Sequence, residues 1–211
     1  GLERLRISSI EPNLLTSDII HLTAESKKIL PHFHIPLQSG SNKTLHRMKR
    51  RYEREVFAEK VQTIKQRMPH ACIAVDVIAG FPGESQDDFM ESYYFIDSLP
   101  ISYLHVFPYS KRPGTLAFDM PEQWSTSCKN ERSKQLMELS NKKKYHFYSE
   151  NLHHIHEVLF ESETKINQII GFTDNYIKVS VNGKSNLINT IQKVRLQKIV
   201  DEDTVQGIIV S

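Results

Sequence analysis

Cysteine is scarce: Cys72 and Cys128 are the only two in 211 residues, far apart in sequence. They fit no metal-ligand spacing, which excludes a thiolate metal centre built from this chain alone, and two thiols without a framework suit a reducing cytosol. No apolar run approaches the roughly 20 residues a membrane-spanning helix needs, which argues against an integral membrane protein. Internal repeats and low-complexity segments are absent. No paired carboxylates and no nucleophile constellation occur, which disfavours a barrel-type hydrolase. The start, Gly1-Leu2-Glu3-Arg4, carries neither a signal peptide nor an initiator Met and points to a piece cut from a longer chain. A net charge of +2 and a pI near 8.5 are too mild to argue for nucleic acid by themselves.

What is present is an alternation of strand and helix signals. Leu5 and Ile7 lie in a short β-like run ending at Ser8-Ser9. Ile19, Leu22 and Ile29 predict a helix capped by Thr16, Ser17 or Asp18. "HFHIPL" reads as a strand, and Phe57, Val61, Ile64 and Met68 share one helical face. "ACIAVDVIAG" is near-continuously apolar, as in a strand buried on both faces. Ser85-x-x-Asp88 resembles a capping box before Phe89, Tyr93 and Ile96, and "YLHVFPYS" is a further strand. This order predicts an α/β fold with parallel strands and right-handed crossovers, four strands between residues 4 and 110. That is about half of a closed eight-stranded barrel.

A loop rich in Pro and Gly follows, and residues 129–150 read as a basic helix with Leu136, Leu139 and Phe147 inward. Past about residue 152 the pattern changes to short alternating runs, "EVLFES", "NYIKVSV", "KVRLQKIV" and "TVQGIIV", with a hairpin signal at Asn182-Gly183. These predict a small all-β barrel. The expected division is 1–120, a βα part; 121–151, a linker and basic helix; and 152–211, the β-barrel.

In parallel βα architectures function gathers at the carboxyl ends of strands. The predicted exits read Ser8-Ser9-Ile10-Glu11, Gln38-Ser39-Gly40-Ser41, Gly80-Phe81-Pro82-Gly83-Glu84-Ser85 and Tyr109-Ser110-Lys111-Arg112, all polar, Gly-rich or charged. "GFPGES" can cradle phosphate or a nucleoside through backbone N–H groups, or be only a tight strand-to-helix turn. Asp76, the lone charge in its apolar run, is either paired or ligand-facing, and pairing is the expectation from spacing. His32 and His34 alternate on a strand, and His153, His154 and His156 crowd a junction, without the Cys or carboxylate partners of a metal site. The reading is solvated or core-satisfied histidines, and no metal ligands.

"RLRISSIEP", "HFHIPLQSGSNKTLHRMKRRY", "VDVIAGFPGES" and "HVFPYSKRPGT" resemble, in order, motifs of the radical S-adenosylmethionine methylthiotransferases. "VLFES…GFTDNYIKVSV…LIN" resembles the small RNA-binding TRAM barrel that closes those enzymes, and "SSIEP" is nearest the branch acting on N6-threonylcarbamoyladenosine beside the tRNA anticodon. The resemblance implies a partial (β/α) barrel holding the last four of six strands, then the TRAM barrel. It implies a cytoplasmic enzyme that uses S-adenosylmethionine and two 4Fe-4S clusters to generate a deoxyadenosyl radical and methylthiolate C2 of the adenine. The alternatives are the isopentenyl-adenosine branch and a non-catalytic RNA-binding module. The family's cluster cysteines have no counterpart here, so the chain resembles a carboxyl-terminal fragment, inactive alone.

Carried onto these residues, the resemblance places Gln38, Ser39 and Asp76 at the cofactor cavity. Arg47 or Arg51 would hold the methionine carboxylate, and Gly80, Phe81, Pro82, Gly83 and Glu84 would wrap the adenosine. Ser110 and Arg112 would face the substrate adenine. Lys142, Lys143 and Lys144 would meet phosphates of the tRNA anticodon stem-loop, and Phe172 or Tyr176 would stack on bases.

Overall fold

Thr16 opens the first helix. Its hydroxyl accepts the Ile19 N–H at 3.4 Å, and α1 runs Ser17–Glu25. Its inward face is Ile20 and Thr23; Leu22, expected to be inward, is 58 % exposed, and Ile29 lies beyond the helix. The structure, a computed structural model, describes residues 1–164, 168–183 and 185–210.

β1 (His32–Gln38) leads to α2 (Asn42–Arg47) and α3 (Arg54–Arg67). Phe57, Val61 and Ile64 of α3, with Met68 beyond its end, are all buried, as their spacing predicts. β2 (Cys72–Ala79) pairs in parallel with β1 on one side and with β3 (Tyr103–Pro108) on the other. A central position explains its near-continuous apolar run. Between β2 and β3 lies α4 (Gln86–Ser98), started by a complete capping box between Ser85 and Asp88. The sheet has three strands in the order β1-β2-β3. The fourth expected strand, Leu5–Ser9, reduces to two isolated parallel bridges, Leu5 to Ile29 and Ser9 to His34. Leu5 bonds the lead-in to β1 and Ile10 bonds His34, so the segment touches β1 itself at one end only and forms no continuous ladder.

Phe33, Ile35, Leu37, Ile73, Val75 and Val77 point to one side of the sheet and form one core with α1, α3, α4 and the middle of α5 (Thr126–Glu150). The alternate residues, His32, His34, Asp76, Tyr103 and His105, occupy the other face.

Five strands follow: β4 (Ile155–Glu163), β5 (Gln168–Thr173), β6 (Lys178–Asn182), β7 (Ile191–Ile199) and β8 (Val205–Ile209). They close a barrel in the order β4-β5-β6-β8-β7. Asn182-Gly183 does not make a hairpin, because β6 pairs in parallel with β8 and the chain crosses through a short 3-10 turn before β7. The hairpin is β5–β6, turned by Asp174 to Ile177 with Tyr176 at φ 70°. The barrel core of Val158, Phe160, Val179, Val194 and Leu196 is continuous with Cys72 at the foot of β2 and with Phe147 and Tyr148 of α5. Buried Asn175 seals the junction by donating to the His70 carbonyl and to Asn151 Oδ1, each at 2.9 Å.

Candidate functional site

At the carboxyl edge of the sheet, β1 ends on Gln38 with φ 69°, just after a register shift against β2. Ser39 and Ser41 behind it are fully buried, and Gly40 donates its N–H to Ser92 Oγ at 2.7 Å. A Cβ on Gly40 would come within 2.9 Å of the α4 backbone, which is why glycine stands there. β2 ends in the turn Gly80–Glu84, with Gly80 and Gly83 at φ 72° and 74°. Phe81 and Pro82 are buried, and Phe81 meets Tyr109 edge-on at 5.4 Å, joining the exits of β2 and β3.

Glu84 organises this turn from within. Its carboxylate, 1 % exposed, accepts the Gly80 N–H at 2.9 Å and Arg132 Nη1 at 2.8 Å. Arg132 also donates to the Glu84 carbonyl at 2.9 Å, and its guanidinium lies over Trp124 at 4.4 Å and Phe89 at 5.2 Å. Burial pushes the Glu84 carboxyl up, while the Gly80 N–H and the Arg132 cation pull the other way. Glu84 therefore shapes the loop rather than facing out of it. Lys129 of the same helix donates to the Tyr109 carbonyl at 3.1 Å, so α5 holds two of the three strand exits.

Arg47 donates to the Gly83 carbonyl at 2.6 Å and to Glu122 at 3.2 Å, reaching the turn from α2. Arg51 is exposed. Arg50 bonds Glu11, and Arg54 bonds the Gly40 carbonyl and Glu91, so the basic cluster after β1 is knitted into the edge. Ser110 and Arg112 are exposed on the loop after β3.

Below this edge the inner sheet face carries a cluster that sequence spacing does not reveal. His34 Nε2 and Asp76 Oδ1 are 2.6 Å apart, and the His34 and His105 rings lie 5.1 Å centroid to centroid. His34 is thus neither solvated nor core-satisfied, as expected from the sequence, but paired to Asp76. His32 departs from the same expectation differently: it is buried with neither ring nitrogen hydrogen-bonded, edge-on to Tyr176 at 4.8 Å. Burial, then the Arg6 cation, pulls its imidazole down to about 3, so it is neutral. His153 and His154 are exposed, and His156 Nδ1 meets Asp174 at 3.2 Å.

The basic helix is more committed than its composition implies. Lys143 donates to the carbonyls of Asp97 and Leu99 at 2.9 and 2.8 Å, closing the end of α4, and burial lowers its pKa. Lys144 binds Asp203 at 2.6 Å, tying α5 to the barrel. Lys142 is the exposed one, 3.7 Å from Asp97. Phe172 and Tyr176 stack on each other at 4.8 Å, and Arg6 lies 3.9 Å over Tyr176. That aromatic pair sits where the barrel meets the sheet.

The donor sets test which implied groups fit. Hydroxyls of Ser41, Thr44 and Tyr109, buried without hydrogen-bond partners among the described residues, lie on elements at the edge that also carries the Gly80–Gly83 turn, and this polar, glycine-built edge fits a nucleoside cofactor. Iron–sulfur clusters do not fit: Cys72 is buried in the barrel–sheet core and Cys128 stands on α5.

Residues 2–96 match the family model described as the radical SAM superfamily. The chain is 45 % identical over 202 residues to the threonylcarbamoyladenosine tRNA methylthiotransferase MtaB of Bacillus subtilis, covering 94 % of this chain and 45 % of that one. It is 40 % identical over 183 residues to the MtaB of Aquifex aeolicus, covering 87 % and 43 %. It is 36 % identical over 200 residues to the tRNA-2-methylthio-N(6)-dimethylallyladenosine synthase of Clostridium tetani, covering 94 % and 44 %. The chain thus spans about half the length of the curated relatives it matches. Among solved structures, coproporphyrinogen III oxidase of Escherichia coli, described as a radical SAM enzyme, matches 99 % of this chain and 52 % of its own with a TM-score of 0.55 at 12 % identity, a likeness of fold. The relatives are of the expected kind, methylthiotransferases similar to this chain over 87–94 % of its length.

Proposed function

We propose, from the premise that this chain belongs to the radical S-adenosylmethionine methylthiotransferases, that it is the carboxyl-terminal half of a tRNA enzyme adding a methylthio group to C2 of N6-threonylcarbamoyladenosine. The observation that carries this is the 45 % identity, along 94 % of the chain, to a relative whose name states that substrate. In this reading the three-stranded sheet with the Leu5–Ser9 bridges is the end of a partial (β/α) barrel, and β4–β8 form a TRAM barrel. The protein works in the cytoplasm on the anticodon stem-loop.

Gln38, Ser39 and the Gly80–Gly83 backbone bind S-adenosylmethionine along the strand exits, and Asp76 lies on the wall beneath. Glu84 acts through the loop it holds. Arg47 keeps Gly83 in place, which leaves Arg51 the freer guanidinium for the methionine carboxylate. Ser110 and Arg112 present hydrogen-bond groups to the target adenine. S-adenosylmethionine, when bound, supplies the radical and methyl-transfer chemistry. The chain's own part is to orient substrate and exclude water. Lys142 meets RNA phosphate, and Phe172 and Tyr176 offer stacking faces where they line the junction cleft.

The full-length protein, loaded anaerobically with iron and sulfide and given S-adenosylmethionine and tRNA, should convert threonylcarbamoyladenosine to its 2-methylthio form, read by nucleoside mass spectrometry. The 211-residue chain alone should form no product. Product appearing only on dimethylallyladenosine would favour the second reading, for which the 36 % identity to the Clostridium tetani synthase speaks.

A further inference from the structure

We propose that His34, Asp76 and His105 form a binding site for one divalent transition-metal ion on the inner face of the sheet. The three residues come from three neighbouring parallel strands, β1, β2 and β3. Register sets Asp76 opposite Pro36 on one side and His105 on the other, so His34 stands two residues below the Asp76 row. Alternation along a strand then aims all three side chains at the same face. One ligand atom from each lies within 4.8 Å of the other two, the one such group of His, Cys, Asp and Glu among the described residues.

The chemistry of the set is specific. Two imidazole nitrogens and one carboxylate suit zinc, ferrous iron or cobalt, and leave coordination positions open. With bonds of about 2.0–2.2 Å, bound donors sit roughly 3–3.5 Å apart. The present spacing closes to that by side-chain rotation, since His34 and Asp76 already touch and His105 is exposed and makes no hydrogen bond among the described residues. Among the described residues no lysine or arginine forms an ion pair with Asp76, and its one hydrogen-bond partner is His34. Binding through His34 Nε2 needs the neutral tautomer with its N–H on Nδ1, in place of a proton between Nε2 and Asp76. The opposite sheet face is all apolar core, so packing does not require this polar row. The proposal rests on this geometry, and Asp76 is the residue it shares with the wall of the cofactor cavity proposed above.

The test uses the 211-residue chain, stripped of metal by a chelating resin and titrated with Co²⁺, followed by visible absorption and then by Zn²⁺ competition. The expected result is one saturable equivalent with ligand-field bands that Zn²⁺ removes. His34→Ala, Asp76→Ala and His105→Ala, each checked for folding by circular dichroism, should each weaken binding by at least about tenfold. Exposed His105 makes His105→Ala the variant least able to disturb the fold. His153→Ala/His154→Ala should bind as the parent does. Absence of saturable binding overturns the proposal, as does binding that survives His105→Ala unchanged or is lost in the His153/His154 variant.

Discussion

Replacing Arg132 with Met removes a cation from one of the most buried ion pairs in the chain while roughly keeping the side chain's length. Arg132 is 3 % exposed and Glu84 is 1 % exposed, so water cannot take over the lost partner. Breaking one side of a buried pair costs about 3–5 kcal/mol, because the remaining charge is stranded. Loss of the guanidinium over Trp124 and Phe89 adds about 0.5–2 kcal/mol. At about 2–4 °C per kcal/mol for a chain of this size, Arg132→Met should melt roughly 7–28 °C below the parent. Its deficit should also depend on pH. Glu84 is already raised by burial, and without Arg132 it is raised further. A raised carboxyl is penalised above its unfolded pKa and relieved as it takes up a proton. The gap between parent and variant is therefore full at neutral pH and shrinks as pH falls through the variant's folded Glu84 pKa. Adding Glu84→Gln to Arg132→Met should recover part of the loss, because the stranded charge is gone. Thermal melts by circular dichroism from pH 7.5 down to 5 read all three effects. A single variant within about 1 kcal/mol of the parent at neutral pH, or a double variant no more stable than the single, would refute the argument that Arg132 and Glu84 hold the strand-exit turn as a charged unit.

Gly83→Ala should lower stability by about 1 kcal/mol or more, since the backbone is at φ 74° and the new Cβ would collide with the Arg47 guanidinium; a melting temperature equal to the parent's would contradict this. Burial pushes the Cys72 thiol up to about 12, so at pH 8 a thiol reagent should label Cys128 in the folded chain and both cysteines after denaturation; rapid native labelling of Cys72 would mean the barrel–sheet junction opens. Lys142→Ala should weaken tRNA binding and reduce its log–log salt slope by roughly 0.7–0.9 without changing the melting temperature, whereas Lys143→Ala should lower the melting temperature through the freed end of α4; the opposite pattern would place the RNA contact on Lys143.

Local patterns carried much of the α/β half. The four-residue spacing of Phe57 and Val61, the capping box at Ser85 and Asp88, and the near-continuous apolar run from Cys72 each report a neighbour-scale requirement, and each appears in the structure. Failures came where distant partners decide. Leu22 fits a helical period but faces solvent, because the neighbours that α1 packs against meet Ile20 and Thr23 instead. Leu5–Ser9 has strand composition, yet it bridges only at its ends, to Ile29 before β1 and to His34 within it. Asn182-Gly183 has turn chemistry, but β8 takes the place beside β6 that a hairpin would have given to β7.

The same division runs through the site. By itself the sequence determined that polar, glycine-rich segments follow the strands, because a chain leaving a buried strand must turn and solvate its backbone. Its motifs, read in order along the chain, also pointed to the kind of relatives the chain matches. Only the tertiary structure decided how those residues are used. Glu84 turned inward because Arg132, forty-eight residues later, reaches it. Lys143 and Lys144, alike with Lys142 in sequence, were drawn to α4 and the barrel by where α5 happens to lie. His34, Asp76 and His105 are seventy-one residues apart from first to last and became neighbours through parallel register, which a linear pattern cannot express because it depends on hydrogen bonds between strands separated by whole helices.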